Sequence, residues 1–155
     1  ADMESIMDVA SKYQLKVIED ATEALGTYYT EGKYTGRYAG TIGDIGVYSF
    51  NGNKIITTGG GGMIVSNSKE MLQHMRHLST QAKADTLYFD HDEIGYNYRM
   101  GNVQAAIGIA QLEQLEAFID TKQRNYREYS EKGVKLLPFR ENIRSNRWFY
   151  SYCTR

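Results

Sequence analysis

Apolar residues along this chain recur either at helical spacing or in short continuous runs. Residues 3–10 predict a helix, because Asp2 can cap its start and the apolar residues Met3, Ile6, Met7 and Ala10 follow three and four positions apart. Continuous apolar runs at 15–18, 45–50 and 62–66 each predict a short strand with a buried face. The first part of the chain therefore contains both helix and strand signals.

The remaining segments differ in polarity and in their content of glycine and tyrosine. Residues 21–25 predict a short helix that stops at a glycine. The stretch 27–43 predicts a loop, whose tyrosines could form a binding surface or could anchor the loop on the core. Helical spacing returns at 69–78 and over 103–119, and a charged helix is expected at about 122–135.

The order of these segments indicates the fold class. Strands joined by helices argue for an α/β domain in which helices are layered on a mainly parallel sheet. The sequence changes character near residues 133–138, where an extended, aromatic and basic stretch begins. We therefore expect one large domain over residues 1–135 and the beginning of a smaller, incomplete C-terminal domain over residues 136–155.

Composition and charge restrict the kinds of partner. Hydrophobic residues make up 41% of the 155 positions and charged residues 24%, which is typical of a globular protein. The formal net charge of −1 gives no reason to expect nucleic acid or an anionic membrane as a partner. The single cysteine, Cys153, cannot form an intramolecular disulfide, and no apolar stretch reaches membrane-spanning length. A cytoplasmic location is the resulting expectation.

Two histidines could suggest a metal. His74 and His77 stand three positions apart on the helix predicted at 69–78, a spacing that suits two ligands on one face. No third ligand is evident from the sequence, so we interpret this face as solvated and expect no metal site.

Candidate chemistry is concentrated around Lys54, which follows the apolar run at 45–50 and precedes four consecutive glycines. A lysine beside a strand end and a glycine-rich loop can hold an aldehyde through its amine. Ser49, five residues earlier, is suited to binding a phosphate. Most lysines are solvated surface charges, so Lys54 could be one of them. The glycine run could likewise be a flexible hairpin loop.

Two acidic residues extend this set. Ligands of α/β sheets bind at the carboxyl ends of strands, so Asp20 and Ser49 could share one site. A pyridoxal phosphate site needs an amine, a carboxylate for the ring nitrogen, donors for the phosphate and a polar group for the phenolic oxygen. Lys54, Asp20, Ser49 and Glu23 supply one of each. Asp20 could instead cap a helix, and a nucleotide site stays possible, although no G-x-G-x-x-G pattern follows either early strand.

Three separated motifs resemble the DegT/DnrJ/EryC1/StrS family of sugar aminotransferases, and they occur in the family's order over most of residues 1–135. They are VIEDATEALG, AGTIGDIGVYSFNGNKIITTGGGGMIVS and EIGYNYRMGNVQAAIGIAQLEQLEAFI. The resemblance implies the fold-type-I (aspartate aminotransferase-like) architecture. It also implies transfer of an amino group, usually from glutamate, to the keto group of a nucleotide-linked sugar, with pyridoxal 5′-phosphate as cofactor.

The same resemblance implies a role for each matching residue. Lys54 corresponds to the lysine that holds the cofactor covalently, and Asp20 to the partner of its ring nitrogen. Glu23 stands where the family places Gln or Glu near the phenolic oxygen, and Ser49 matches the phosphate-binding serine. Asn97 matches an asparagine that reaches the phosphate from the neighbouring subunit, so the resemblance implies a homodimer with a shared active site.

The chain also departs from the common pattern. Asn51 stands where many members have histidine or phenylalanine, and residues 57–62 read TTGGGG where many have TTGEGG. This form is more similar to the branch that acts at C4 of UDP-linked 4-keto-6-deoxy-N-acetylhexosamines. A related dehydratase branch has histidine in place of the lysine, so Lys54 argues against that chemistry.

The length of the chain leaves two other functions open. The family's chains are much longer, and their N-terminal part supplies a stacking ring and a phosphate loop that are not recognisable here. We therefore expect the isolated 155-residue chain to be inactive. The alternatives are a degenerate or truncated binding or regulatory module, and a different fold-type-I enzyme such as a dehydratase or lyase.

Overall fold

A computed structural model of the chain describes residues 1–85 and 87–154. This part of the chain contains four helices and five strands. In chain order they are α1 (Met3–Lys12), β1 (Ile18–Asp20), β2 (Tyr28–Tyr29), β3 (Ile45–Ser49), β4 (Gly62–Val65), α2 (Lys69–Ser79), α3 (Asn102–Leu112), α4 (Leu115–Glu131) and β5 (Ile143–Arg144). None of these helices is both long enough and apolar enough to span a membrane.

The strands form two sheets. The larger one has the order β1-β3-β4, in which β1 and β3 run parallel and β3 and β4 antiparallel. The smaller one pairs β2 with β5 in antiparallel fashion. The prediction of an α/β fold is confirmed. The strands predicted at 45–50 and 62–66 and the helix predicted at 69–78 are present, with ends that differ by one residue.

The strand predicted at 15–18 is displaced towards the C-terminus. Gln14 adopts a positive φ of 54°, and the Leu15 amide donates to the Ala10 carbonyl over 2.8 Å. This arrangement closes the end of α1, so Leu15 belongs to the helix terminus rather than to a strand. Ile18 begins β1, and its side chain is exposed rather than buried.

Residues 21–25 do not form the predicted helix. They make two successive turns, in which the amides of Ala24 and Thr27 donate to the carbonyls of Ala21 and Ala24. Gly26 then has a φ of +81°, and a Cβ on it would lie 2.5 Å from Ile119 Cδ1. Contact with α4 therefore selects a compact turn over a helix in this stretch.

The apolar stripe predicted as one helix over 103–119 is divided between α3 and α4. The break falls at residues 113–114, and the helix predicted at about 122–135 is the later part of α4, which begins at Leu115. The division separates two environments. Leu115 and Ile119 are buried, whereas none of the residues of α3 is. The large apolar side chains of α3 that are exposed are Val103, Ile107, Ile109 and Leu112.

The main buried cluster joins α4 to the segment between β3 and β4. It consists of Phe50, Ile56, Leu115 and Ile119. Ile56 and Ile119 are almost completely inaccessible to solvent. Because Ile56 lies two residues after Lys54, this cluster fixes the loop on which the candidate lysine stands.

The segment after Pro138 folds back on the earlier part of the chain. β5 pairs with β2, and the buried Asn146 amide group donates to the carbonyls of Glu23 and Leu25, each over 2.9 Å. Tyr29 of β2 is buried too, so part of the tyrosine-rich loop is anchored on the core. The domain boundary near residue 135 stays a prediction.

The buried cluster generates a stability prediction. Ile119→Ala should lower the free energy of unfolding by about 2–5 kcal/mol, because it removes apolar contacts and leaves a cavity between α4 and the Lys54 loop. The control is Val9→Ala on α1, where the side chain is 54% exposed, and this change should stay within about 0.5 kcal/mol. Urea unfolding of both variants measures the difference. Equal losses would show that the cluster is not the core.

Candidate functional site

The parallel pairing of β1 with β3 brings two predicted site residues to one edge of the sheet. Asp20, the last residue of β1, lies opposite Val47, and Ser49 ends β3 two residues further on. Both residues therefore stand at the carboxyl ends of neighbouring parallel strands, where ligands of α/β proteins bind. The chain turns from this edge into the loop that contains Lys54.

Lys54 has a nearly enclosed side chain, of which only 13% is exposed. Its backbone amide donates to the Asn51 carbonyl over 3.0 Å in a tight turn. Its Nζ lies 3.7 Å from Glu23 Oε1 and 4.4 Å from the centroid of the Trp148 ring. The structure thus brings Lys54 and Glu23 together and places an aromatic face beside the amine.

Asp20 is exposed at the end of β1. Its Oδ1 accepts hydrogen bonds from the Thr22 hydroxyl at 2.7 Å and the Thr22 amide at 3.1 Å. These two bonds, with a smaller contribution from the charge of Lys54, lower the pKa of the Asp20 carboxyl below its ordinary value. The carboxylate is therefore ionised at neutral pH. It closes a local turn and does not cap a helix.

The glycine run between Lys54 and β4 has a specific backbone conformation. Gly59 and Gly61 have φ values of +77° and +89°, which side chains with a Cβ rarely adopt. The Phe50 amide donates to the Gly61 carbonyl over 3.0 Å, which ties the run to the end of β3. Nearby, Ser49 Oγ accepts a hydrogen bond from the Asn51 amide over 3.3 Å. The run is thus a structured turn rather than a loose hairpin.

Asn97 is not brought to this edge of the sheet. It is exposed, and its backbone forms an isolated bridge with Thr80, just after α2. Within the described residues, it makes no recorded hydrogen bond with Lys54 or Ser49. Tyr96 and Tyr98, on either side of it, stack with ring centroids 5.1 Å apart.

Trp148 is a site residue that the sequence did not reveal. It is buried, its indole N–H donates to the Asn53 carbonyl, and its ring stacks on Phe149 with the centroids 3.7 Å apart. Asn146 Oδ1 accepts from the Trp148 amide over 3.0 Å and so fixes the backbone there. The only feature of the sequence that draws attention to Trp148 is the aromatic run in which it stands. Nothing in that run indicates contact with Lys54.

Glu19 is a second residue whose role the sequence did not indicate. Its buried carboxylate accepts backbone N–H groups of three residues in the following loop, at distances of 2.5–2.8 Å. The donors are Gly40, Ile42 and Gly43. Because a buried carboxylate needs such partners, this contact fixes the path of the chain into β3.

Comparison with known proteins identifies the family of the chain. A model of the DegT/DnrJ/EryC1/StrS aminotransferase family matches residues 1–149. EpsN of Bacillus subtilis (strain 168), whose name describes a pyridoxal phosphate-dependent aminotransferase, is 42% identical over 153 residues, covering 96% of this chain and 38% of EpsN. The GDP-perosamine synthase of Escherichia coli O157:H7 is 43% identical over 157 residues, covering 99% of this chain and 42% of the synthase. The chain thus spans about two fifths of these relatives' length.

The fold is likewise that of solved members of the family. The crystal structure of a DegT DnrJ EryC1 StrS aminotransferase from Brucella abortus superimposes with a TM-score of 0.84 at 29% identity, over 97% of this chain and 40% of that one. The architecture is therefore that of part of a fold-type-I large domain. The chain belongs to the DegT/DnrJ/EryC1/StrS aminotransferase family, whose cofactor is pyridoxal phosphate.

Proposed function

We propose that these 155 residues are the central segment of a pyridoxal phosphate-dependent aminotransferase. Its substrates are an amino-acid donor, glutamate, and the C4 keto group of a nucleotide-linked deoxy sugar. The observation on which the proposal mainly rests is the environment of Lys54. Its amine is nearly enclosed, has a carboxylate 3.7 Å away, and lies beside a strand edge that ends in Asp20 and Ser49.

The groups at this edge fit the cofactor in charge and in donor type. Asp20 is an ionised carboxylate suited to holding a protonated pyridine nitrogen. Ser49 and the backbone N–H groups near the glycine run are donors suited to a phosphate. When bound, pyridoxal phosphate supplies an aldehyde carbon that accepts the amino group and a ring that delocalises negative charge.

The residues around Lys54 have distinct proposed tasks. The Lys54 amine removes the proton from Cα of the amino-acid donor, and in the second half of the reaction it returns a proton to C4 of the sugar. Glu23 holds the ammonium form of Lys54 between these steps, and with the cofactor bound it would offer a polar group for the phenolic oxygen. Trp148 excludes water from one side of the amine.

A second subunit is proposed to complete the site. Asn97 is exposed and bridges Thr80 rather than binding Lys54, which agrees with a role in a partner's site. The apolar side chains of α3, which begins five residues after Asn97, are exposed, and a subunit interface is one way to remove such a surface from water. We therefore place Asn97 beside the phosphate of the neighbouring subunit's cofactor.

The nucleotide of the sugar substrate is a separate part of the proposal. The SFNGNK and TTGGGG segments favour a UDP-linked N-acetylhexosamine. The name of the Escherichia coli relative describes a GDP-linked product instead. Assays should therefore offer UDP- and GDP-linked 4-keto-6-deoxy sugars side by side, and a preference for the GDP-linked sugar would overturn the assignment to UDP.

The first prediction tests the reaction itself. In the complete protein that contains these residues, Lys54→Ala should lower turnover by at least about 10²-fold, because the proton-transfer group is lost. Lys33→Ala is the control, since Lys33 is exposed and pairs with Asp8, and it should leave turnover unchanged. Amino-sugar formation with glutamate is the measurement.

The same experiment has a covalent readout. Borohydride reduction of the cofactor-loaded protein should leave the pyridoxyl mass on the peptide that contains Lys54. A label on Lys33 or any other lysine would contradict the assignment. The 155-residue chain alone should show little cofactor absorbance and no turnover, because tight binding needs several preorganised contacts at once. A stoichiometric, glutamate-responsive complex of that chain would refute this part.

The second prediction concerns Asp20. Asp20→Asn should lower kcat much more than it lowers stability, because an amide cannot keep the ring nitrogen protonated. Asp44→Asn is the matched control. Asp44 precedes β3 at the opposite end of the same strands, where it binds Lys16 at 2.9 Å and the Val17 amide at 2.9 Å. This control should change stability and leave kcat intact. An Asp20→Asn enzyme with normal kcat would show that Asp20 only closes its turn.

The third prediction concerns sharing of the site between subunits. Lys54→Ala and Asn97→Ala homodimers should both have low activity, whereas a mixture of the two under subunit exchange should regain activity. The recovery arises because some hybrid dimers then contain one site with both residues intact. Mass spectrometry verifies the exchange. If hybrids form and no activity returns, Asn97 does not act in the partner's site.

A further inference from the structure

Three potential metal ligands meet beside the C-terminal half of α2. His77 Nε2 lies 2.6 Å from Asp92 Oδ1 and 3.6 Å from Glu93 Oε1. All three ligand atoms lie within 4.8 Å of one another. His74, one turn earlier on the same helix, has its Nδ1 3.5 Å from the same Glu93 oxygen. The sequence showed only the two histidines, and the structure supplies the carboxylates.

Backbone hydrogen bonds determine that these residues meet. The amide of Ala82 donates to the His77 carbonyl over 3.0 Å, and the amide of Tyr96 donates to the Leu78 carbonyl over 2.7 Å. Ala82 is fully buried, and its carbonyl accepts from the Asp92 amide over 3.3 Å. The carboxylates are thus held next to α2 by the main chain, independently of their own side-chain contacts.

The separations are close to those of a tetrahedral site. Metal–nitrogen and metal–oxygen bonds of about 2.0–2.2 Å place neighbouring ligand atoms about 3.3–3.5 Å apart. The 3.6 Å distance from His77 to Glu93 is slightly longer than this range, and the 2.6 Å hydrogen bond to Asp92 opens when a cation replaces the shared proton. Small side-chain rotations are sufficient, because Asp92 and Glu93 are 57% and 38% exposed.

The charges also favour a cation. Among the residues that the structure describes, neither lysine nor arginine forms a salt bridge with Asp92 or Glu93. The salt-bridge partners of Asp92 and Glu93 within the described residues are therefore the imidazoles of His74 and His77. A divalent cation carries more positive charge than a histidine and neutralises the two carboxylates more fully.

We propose that His77, Asp92 and Glu93 bind one divalent transition-metal ion, with Zn²⁺ as the best match to one nitrogen and two oxygen ligands. Water completes the coordination, and His74 orients Glu93 by a hydrogen bond. The ion links α2 to the segment that leads to Asn97. The site is separate from Lys54, so the proposal does not depend on the proposed reaction.

The test is a Zn²⁺ titration of the complete protein that contains these residues, by isothermal calorimetry and without a histidine tag. A Cys153→Ser background is used, because the exposed thiol of Cys153 is itself a zinc ligand. One ion per chain should bind with a dissociation constant in the micromolar range. His77→Ala and Glu93→Gln should each weaken binding by about tenfold or more, and His74→Ala should weaken it less.

His91→Ala is the matched control, because His91 contacts the Gln81 carbonyl and lies outside the cluster. It should leave the affinity unchanged. Circular dichroism verifies that each variant is folded. If His77→Ala does not fold, Glu93→Gln still tests the proposal, because it preserves the shape of the side chain. No saturable binding at micromolar Zn²⁺, or equal affinities of the parent, His77→Ala and Glu93→Gln chains, would overturn the proposal.

Discussion

The candidate site depends on the parallel pairing of β1 with β3. This pairing alone places the end of β1, with Asp20, next to the end of β3, with Ser49. The buried carboxylate of Glu19 secures it by binding three backbone N–H groups of the loop that leads into β3. The packing of Ile56 against Ile119 then holds the next loop, on which Lys54 stands. Strand pairing, one buried carboxylate and one apolar cluster therefore position a site whose members are distant in sequence.

The sequence predicted those parts of the fold that local patterns determine. The strands that became β3 and β4 and the helix that became α2 each have a clear apolar pattern and polar or glycine-rich flanks. Lys54 and Ser49 could be proposed as site residues because Ser49 ends such a strand and Lys54 follows it by five residues. Residues 21–25 have helical composition as well, but the close approach of α4 at Gly26 outweighs this weak local preference.

Contacts between distant segments could not be predicted in the same way. Trp148 is separated from Lys54 by most of the chain, and its aromatic neighbours gave no sign of which surface it covers. The division between α3 and α4 was also missed, because apolar residues continue through it without a change of spacing. Only the structure shows that apolar residues of α4 face the core, whereas those of α3 do not.

The adjacency of Glu19 and Asp20 has an evolutionary consequence. Successive side chains of a strand point to opposite faces, so one carboxylate enters the interior and the next faces outwards. Loss or gain of a single residue within β1 would exchange the directions of the Glu19 and Asp20 side chains. The loop before β3 would then lose the Glu19 carboxylate that accepts its N–H groups, and the outer face would lose the Asp20 carboxylate. The length of this strand is therefore constrained more tightly than its composition. Related chains should vary freely in the identity of Ile18, but not in the number of residues that separate it from the Asp20 turn.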